Sequence, residues 1–323
     1  MRGKNLIQMC AGMPVPLLPS ILGAITLSSA YYQAFGFTWL RHMTTIAGMI
    51  IWLFMVIKIA VHFDVFKSEY KAPVPASVYA AFAILMMSFG AYLHPHWEGL
   101  GKGLWLSAIA LHALHILVFT WRNVITSRSW ETFIPTWFIT YNGILVAPVL
   151  GEKMGEPFIS GAIVFYGMAV YIILLAFMIY RLAAKPLNPL FIHSKTIVMA
   201  PAALCLVGYF NIAENINTTA VYLMYTVMLV FFLYFLKNLP AFLRVPFTPG
   251  FAGLTFPNAI ALIASLRMSE FLQSAGNPVL SRIAWEIAGI QFVLTSALIA
   301  FVLYNYARMF AKSYAGKEAV PAG

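Results

Sequence analysis

Ten apolar stretches, at about 15–34, 40–62, 74–93, 103–121, 134–150, 158–181, 193–212, 217–237, 247–268 and 283–307, leave this chain only short connectors in which to turn. An apolar run of about 20 residues matches the hydrocarbon core of a bilayer. Inside that core only a helix or a closed barrel satisfies its own backbone, so runs of this length predict helices. Charged residues make up 9% of the chain, against roughly 25% in soluble domains. The expected fold is an all-α integral membrane protein of ten transmembrane helices, with 1–323 as a single domain.

The formal charge of +10 would point to nucleic acid in a soluble protein. Its distribution says otherwise. With the N-terminus inside, Arg2, Lys4, Lys58, Lys67, Lys71, Arg122, Arg128, Arg181, Lys185, Lys195, Lys237, Arg244, Arg308, Lys312 and Lys317 fall on the cytoplasmic side. Only Arg41, Lys102, Lys153, Arg267 and Arg282 fall outside. This is the positive-inside bias, and it predicts both termini in the cytoplasm and no nucleic-acid partner. The N-terminus has no apolar run followed by a small-residue cleavage site, so the first stretch is expected to be retained.

Prolines separate odd stretches from even ones. Pro16 and Pro19, Pro73 and Pro75, Pro135 and Pro148, Pro201, and Pro249 and Pro257 fall in or at the start of the odd stretches. The even stretches have none inside, with Pro157 and Pro240 flanking the sixth and eighth. A proline lacks the backbone donor and clashes with the preceding turn, so the odd helices are expected to be kinked. Their recurrence predicts five helical hairpins. The odd stretches also carry small residues on one face, including Ser20, Gly23 and Ala24, Ala76, Ala80 and Ala83, Thr140, Gly143 and Ala147, and Ala200 and Ala203. Small faces serve close helix packing. Together with the breaks they predict an inner ring around an axis, with the even helices facing lipid.

The ninth stretch shows the pattern most fully. FTPGFAGLTFPNAIALIAS spans about 19 residues, roughly 28 Å as a helix. Phe256 stands near its middle on a mostly small stripe of Ala252, Gly253, Ala259 and Ile260, directly before Pro257. Carbonyls freed at membrane depth need protein or a water-filled cavity. Two readings follow, a pore wall plugged by one ring or a packing kink covered by neighbours.

No Asp, Glu, Lys or His lies in the interior of any odd stretch: His193 and Lys195 stand at the start of the seventh, and Arg267 sits at the outer end of the ninth. Ion-coupled carriers keep titratable groups in the membrane, so a neutral lining under a basic rim favours passive anion movement. His112 and His115, in LHALH, could hold a metal or haem in an electron carrier, but no other stretch offers a clearly interior histidine partner. Structural hydrogen bonding is the favoured reading, and no cofactor or metal site is predicted. Cys10 and Cys205 form no disulfide framework. The connector FDVFKSEYKAP reads as a solvated, mixed-charge turn. No nucleophile constellation, phosphate-cradling loop or carboxylate pair suggests an enzyme.

In order and spacing, FDVFKSEYKAPVPASVYAAF, PTWFITYNGILVAP, TIVMAPAALCLVGY and GLTFPNAIALIAS resemble the tellurite-resistance/dicarboxylate transporter family, which includes the plant slow anion channels. The resemblance covers nearly the whole chain. It implies five hairpins around a pore in each subunit, a homotrimer, and a pore-blocking phenylalanine that matches Phe256 through its TFP context. By looser alignment it implies pore-lining positions at Pro19, Gly23, Gly143, Pro201 and Ala203, beside Gly253 and Pro257 of the ninth stretch. The MPVPLLPS approach to the first helix does not superimpose cleanly on relatives, and the long phosphorylated tails of the plant channels have no counterpart before it.

The function expected is a passive anion channel or uniporter of a bacterial inner membrane, gated by Phe256 and passing small inorganic or organic anions. The alternatives are a C4-dicarboxylate carrier, with or without proton coupling, and an exporter contributing to tellurite resistance.

Overall fold

The computed structural model describes residues 6–127 and 130–314. Arg2, Lys4, Arg128 and Lys317 of the charge pattern lie outside them. Every regular element among the described residues is helical. Among the described residues eight helices are long and apolar enough to cross a bilayer: Thr38–Val61, Pro73–Leu93, Glu98–Thr126, Pro157–Ala184, Pro189–Ile212, Thr218–Leu243, Pro249–Ser274 and Pro278–Ser313. Leu17–Phe35 precedes them as the first span. The fifth is broken into Trp137–Asn142, a 3₁₀ turn at Gly143–Leu145, and Val146–Leu150.

The chain pairs these spans as consecutive hairpins, one with two, three with four, five with six, seven with eight and nine with ten. The odd spans also pack on one another. One meets three, three meets five, five meets seven, seven meets nine, and nine returns to one. The ring is closed, and burial follows it. In the third, seventh and ninth spans 72%, 78% and 78% of the most apolar window is buried, against 22–39% in the even spans. The even spans turn large apolar side chains outward, Leu117, Phe165, Ile172, Leu223, Leu233 and Val293 among them.

Proline explains the inner helices locally. Pro73, Pro189 and Pro249 open their elements, where the first amides need no intrahelical acceptor. The seventh and ninth spans begin as 3₁₀ helices, Pro189–Met199 and Pro249–Leu254, and turn α-helical at Ala200 and Phe256. Pro201 and Pro257 stand at those two junctions. Their missing amides leave the carbonyls of Ile197 and Gly253 without an i→i−4 donor.

Three features differ from expectation. The seventh span starts at Pro189, where Asn188 accepts the Leu190 amide at 3.0 Å, so His193 and Lys195 lie inside it. Pro240 lies within the helix Thr218–Leu243, close to its end and exposed, where a lost backbone bond is open to solvent or headgroups. The connector after the second span is not a turn but a helix, Phe63–Lys71. Phe63, Phe66 and Tyr70 stack along one face, and Phe66 packs edge-on against Tyr79 of the third span. Asp64 in the first turn and Lys71 in the last suit its dipole.

Candidate functional site: a cavity inside the ring

A cavity of about 420 Å³ lies within the ring, lined by the N-terminal halves of all five odd spans. Its wall takes Val15, Pro16, Pro19 and Leu22 from the first, five positions between Val74 and Ile84 from the third, four between Thr136 and Gly143 from the fifth, seven between Leu190 and Leu204 from the seventh and eight between Phe247 and Pro257 from the ninth. No ionisable residue is among them, and the only polar side chains are Thr136, Ser194 and Thr248. The Ser194 hydroxyl donates to the Phe191 carbonyl at 2.6 Å. The Thr136 and Thr248 hydroxyl oxygens are buried with no partner.

Of the residues singled out in the sequence, Pro19, Gly143, Pro201, Gly253, Phe256 and Pro257 line this cavity. Gly23 and Ala203 do not. Ala203 is wholly buried in the core. Gly23 faces the backbone of the ninth span: a Cβ there would stand 2.7 Å from the Phe256 nitrogen and 2.8 Å from Thr255 Cβ. Gly253 plays the same part on the other flank, where a Cβ would stand 2.8 Å from the His193 carbonyl oxygen. Both glycines let a neighbouring helix come within backbone distance of the ninth.

Phe256 is half-buried at the 3₁₀-to-α junction, between two polar residues that sequence reasoning passed over. The Thr255 hydroxyl lies 2.7 Å from the Ala252 carbonyl and 3.2 Å from that of Pro19, tying the ninth span to the first. The Asn258 amide donates to the Leu254 carbonyl at 2.8 Å. These side chains serve carbonyls where the regular ladder is interrupted. The signal was present as TFPN, a proline flanked by hydrogen-bonding side chains.

His112 and His115 face the fifth span. His112 Nε2 lies 2.8 Å from the Thr140 carbonyl, and His115 bridges Tyr70 at 2.7 Å and the Thr140 hydroxyl at 3.2 Å. Among the described residues no group of three or more His, Cys, Asp or Glu could hold a metal. Tyr70 lies on the connecting helix outside the spans, and burial pushes its phenol up despite the Arg122 guanidinium over its ring.

Charge gathers beyond the lining, at the end of the bundle where the odd spans begin. Arg181 is 5% exposed, donates to the Lys185 carbonyl at 2.8 Å, and has no carboxylate within ion-pair distance among the described residues. Arg122 donates to the Tyr70 carbonyl at 3.0 Å. Five helix N-termini point the same way, each carrying the partial positive charge of unpaired amides.

This is a helical membrane protein built around an uncharged central cavity. The chain belongs to the SLAC1 voltage-dependent anion channel family, whose profile matches residues 13–310. Among curated proteins none matches it. Membership places it among anion channels and transporters.

The close approach at Gly23 is testable. Gly23→Val should push the ninth span off the first and lower the stability of the purified protein by about 1–3 kcal/mol, an overpacking cost. Thermal unfolding in detergent reads this directly. A melting curve identical to the parent's would show that the two helices are not held in backbone contact.

Proposed function

We propose that this protein is a passive anion channel or uniporter, with Phe256 as the gate and the cavity as its vestibule. One observation carries the reading: the five odd spans surround a space without a single ionisable side chain, at the end of the bundle where five helix N-termini and the basic residues gather. Such a wall holds no group to titrate or to bind a coupling cation. It attracts anions through diffuse positive potential and favours those that give up water easily. Pro19, Gly143, Pro201, Gly253 and Pro257 form the permeation wall, while Gly23 and Ala203 hold it from behind. Phe256, fixed at its backbone by Thr255 and Gly23, opens the path by rotating its ring.

The family resemblance supports a homotrimer with one path per subunit, surrounded by membrane lipid. The lysine and arginine bias supports a bacterial inner membrane with both termini in the cytoplasm. Nothing in the cavity favours the dicarboxylate or tellurite alternatives, since no basic side chain lines it to pair a second carboxylate.

Phe256→Ala should raise chloride conductance in planar bilayers at least about tenfold, the equivalent of removing roughly 1.4 kcal/mol of barrier. Currents equal to the parent's, with the protein present in the bilayer, would exclude the gate assignment. With Phe256→Ala conducting, the reversal potential should follow the chloride gradient and ignore a pH gradient of two units. A shift with pH would instead require proton coupling, and a potential set by malate would favour the carrier.

A further inference from the structure

Lys58, near the end of the second span, is 0% exposed. It is the largest anomaly outside the cavity, because an ionisable group at such a place is expensive and needs a reason. Its ammonium donates to the Met13 carbonyl at 2.7 Å and to Glu69 Oε1 at 2.7 Å. The other Glu69 oxygen accepts from the Tyr79 hydroxyl of the third span. Four pieces of chain thus meet at one buried charge: the segment before the first span, the second span, the connecting helix Phe63–Lys71, and the third span. One turn on, His62 Nε2 lies 2.8 Å from the Ile7 carbonyl, so two side chains of the second span strap the same N-terminal segment.

That segment leads directly into the cavity wall. Val15 and Pro16 follow Met13 and line the mouth, and Pro14 accepts the Leu17 amide that starts the first span. Pro14 and Pro16 have no amide to donate, and the backbone bonds around them are local ones, such as Met13 to the Cys10 carbonyl and Leu18 to that of Val15. A charged donor on Met13 is therefore the strongest tether it has.

We propose that Lys58 is a positioning residue for the vestibule. It fixes the Met13–Pro16 lip through the Met13 carbonyl, while Glu69 holds the amine aimed. The position of the amphipathic helix Phe63–Lys71 is thereby coupled to the mouth, because Glu69 is presented from that helix. Motion of that helix on the membrane surface would reach the vestibule by this route. The inference rests on the channel reading for its consequence but not for its geometry.

The test uses Val15→Cys as a reporter in the full chain, with Cys10→Ser and Cys205→Ser removing two buried thiols. A membrane-impermeant methanethiosulfonate measures access to the lip. Lys58→Met should speed modification about tenfold or more, the scale of a lost bond to a charged group. Lys58→Arg, which keeps a charged donor, should stay within about threefold of the parent. Should Lys58→Met aggregate, Lys58→Met with Glu69→Gln carries the test, since it leaves no lone buried charge and keeps an acceptor for Tyr79. In the Phe256→Ala chain, the same change should raise the half-saturating chloride concentration at least about threefold, with maximal current held within about twofold. Equal thiol rates, or an unchanged half-saturating concentration in a conducting chain, would overturn the proposal. Absence of any chloride current would remove the channel reading instead, and the thiol rates would still decide the tether.

Discussion

A backbone group without a partner has nowhere to turn inside a bilayer, and the inner ring is arranged around that constraint. Proline at the 3₁₀-to-α junctions of the seventh and ninth spans withdraws a donor from the middle of each helix. In hydrocarbon each stranded carbonyl would cost several kcal/mol. In the ninth span side chains add donors to the carbonyls on either side of Gly253, with Thr255 on Ala252 and Pro19 and with Asn258 on Leu254. Broken helices are thus tolerable only in the ring, where side chains and neighbouring backbones stand close. The even spans, mostly bare toward lipid, keep their α ladders except close to their ends, where Thr120–Thr126 turns π-helical and Pro240 removes a donor. Small residues follow from the same need, since Gly23 and Gly253 bring adjacent helices to backbone distance on both flanks of the break.

The electrostatics divide along the same line. The wall keeps charge out, because an ionised side chain facing a narrow apolar cavity would need a counter-ion and would hold an anion too tightly to release it. The positive potential comes instead from helix ends and from cations set behind or beyond the wall. Arg181 is the clearest case, buried on the Lys185 carbonyl with no carboxylate partner among the described residues. A diffuse field of this kind distinguishes the sign of an ion and the ease of dehydrating it. It does not distinguish chloride from nitrate by shape, which agrees with a lining that has three hydroxyls and no fixed ligand set.

Much of this was legible in the chain. The alternation of proline-bearing and proline-free stretches marked the inner and outer rings, since proline acts on its own helix without help from tertiary context. The 9% charge marked the membrane class for the same local reason. What could not be read depends on partners far apart in sequence. Gly23 was visible as a small residue, but whether it faced the cavity or the Phe256 nitrogen depended on how the first and ninth spans meet, more than 200 residues apart. Ala203 shares a helix with Pro201 yet points into the core. The connector FDVFKSEYKAP read as solvated because its charges were counted without their partners. Glu69 is spent on Lys58 and Tyr79, and Phe66 on Tyr79, so the segment folds as a helix packed on the third span.

That ion pair also shows why polar economy in a membrane protein is not the same as polar absence. Burying an ammonium and a carboxylate costs several kcal/mol for each ion after relaxation, and an apolar pair of similar volume would often fold as well. Stability alone therefore gives Lys58 no advantage over Met or Leu at this place. What an apolar residue cannot supply is a directed bond to one carbonyl. Met13 lies just before Pro14 and Pro16, in a stretch whose own amides are depleted, so its carbonyl is where a directed bond constrains most chain for one contact. The wall of the cavity stays neutral while its lip is fixed by a charge held behind it. This keeps the fixed charge out of the anion's path and places its counter-ion, Glu69, on the connecting helix Phe63–Lys71, outside the ring.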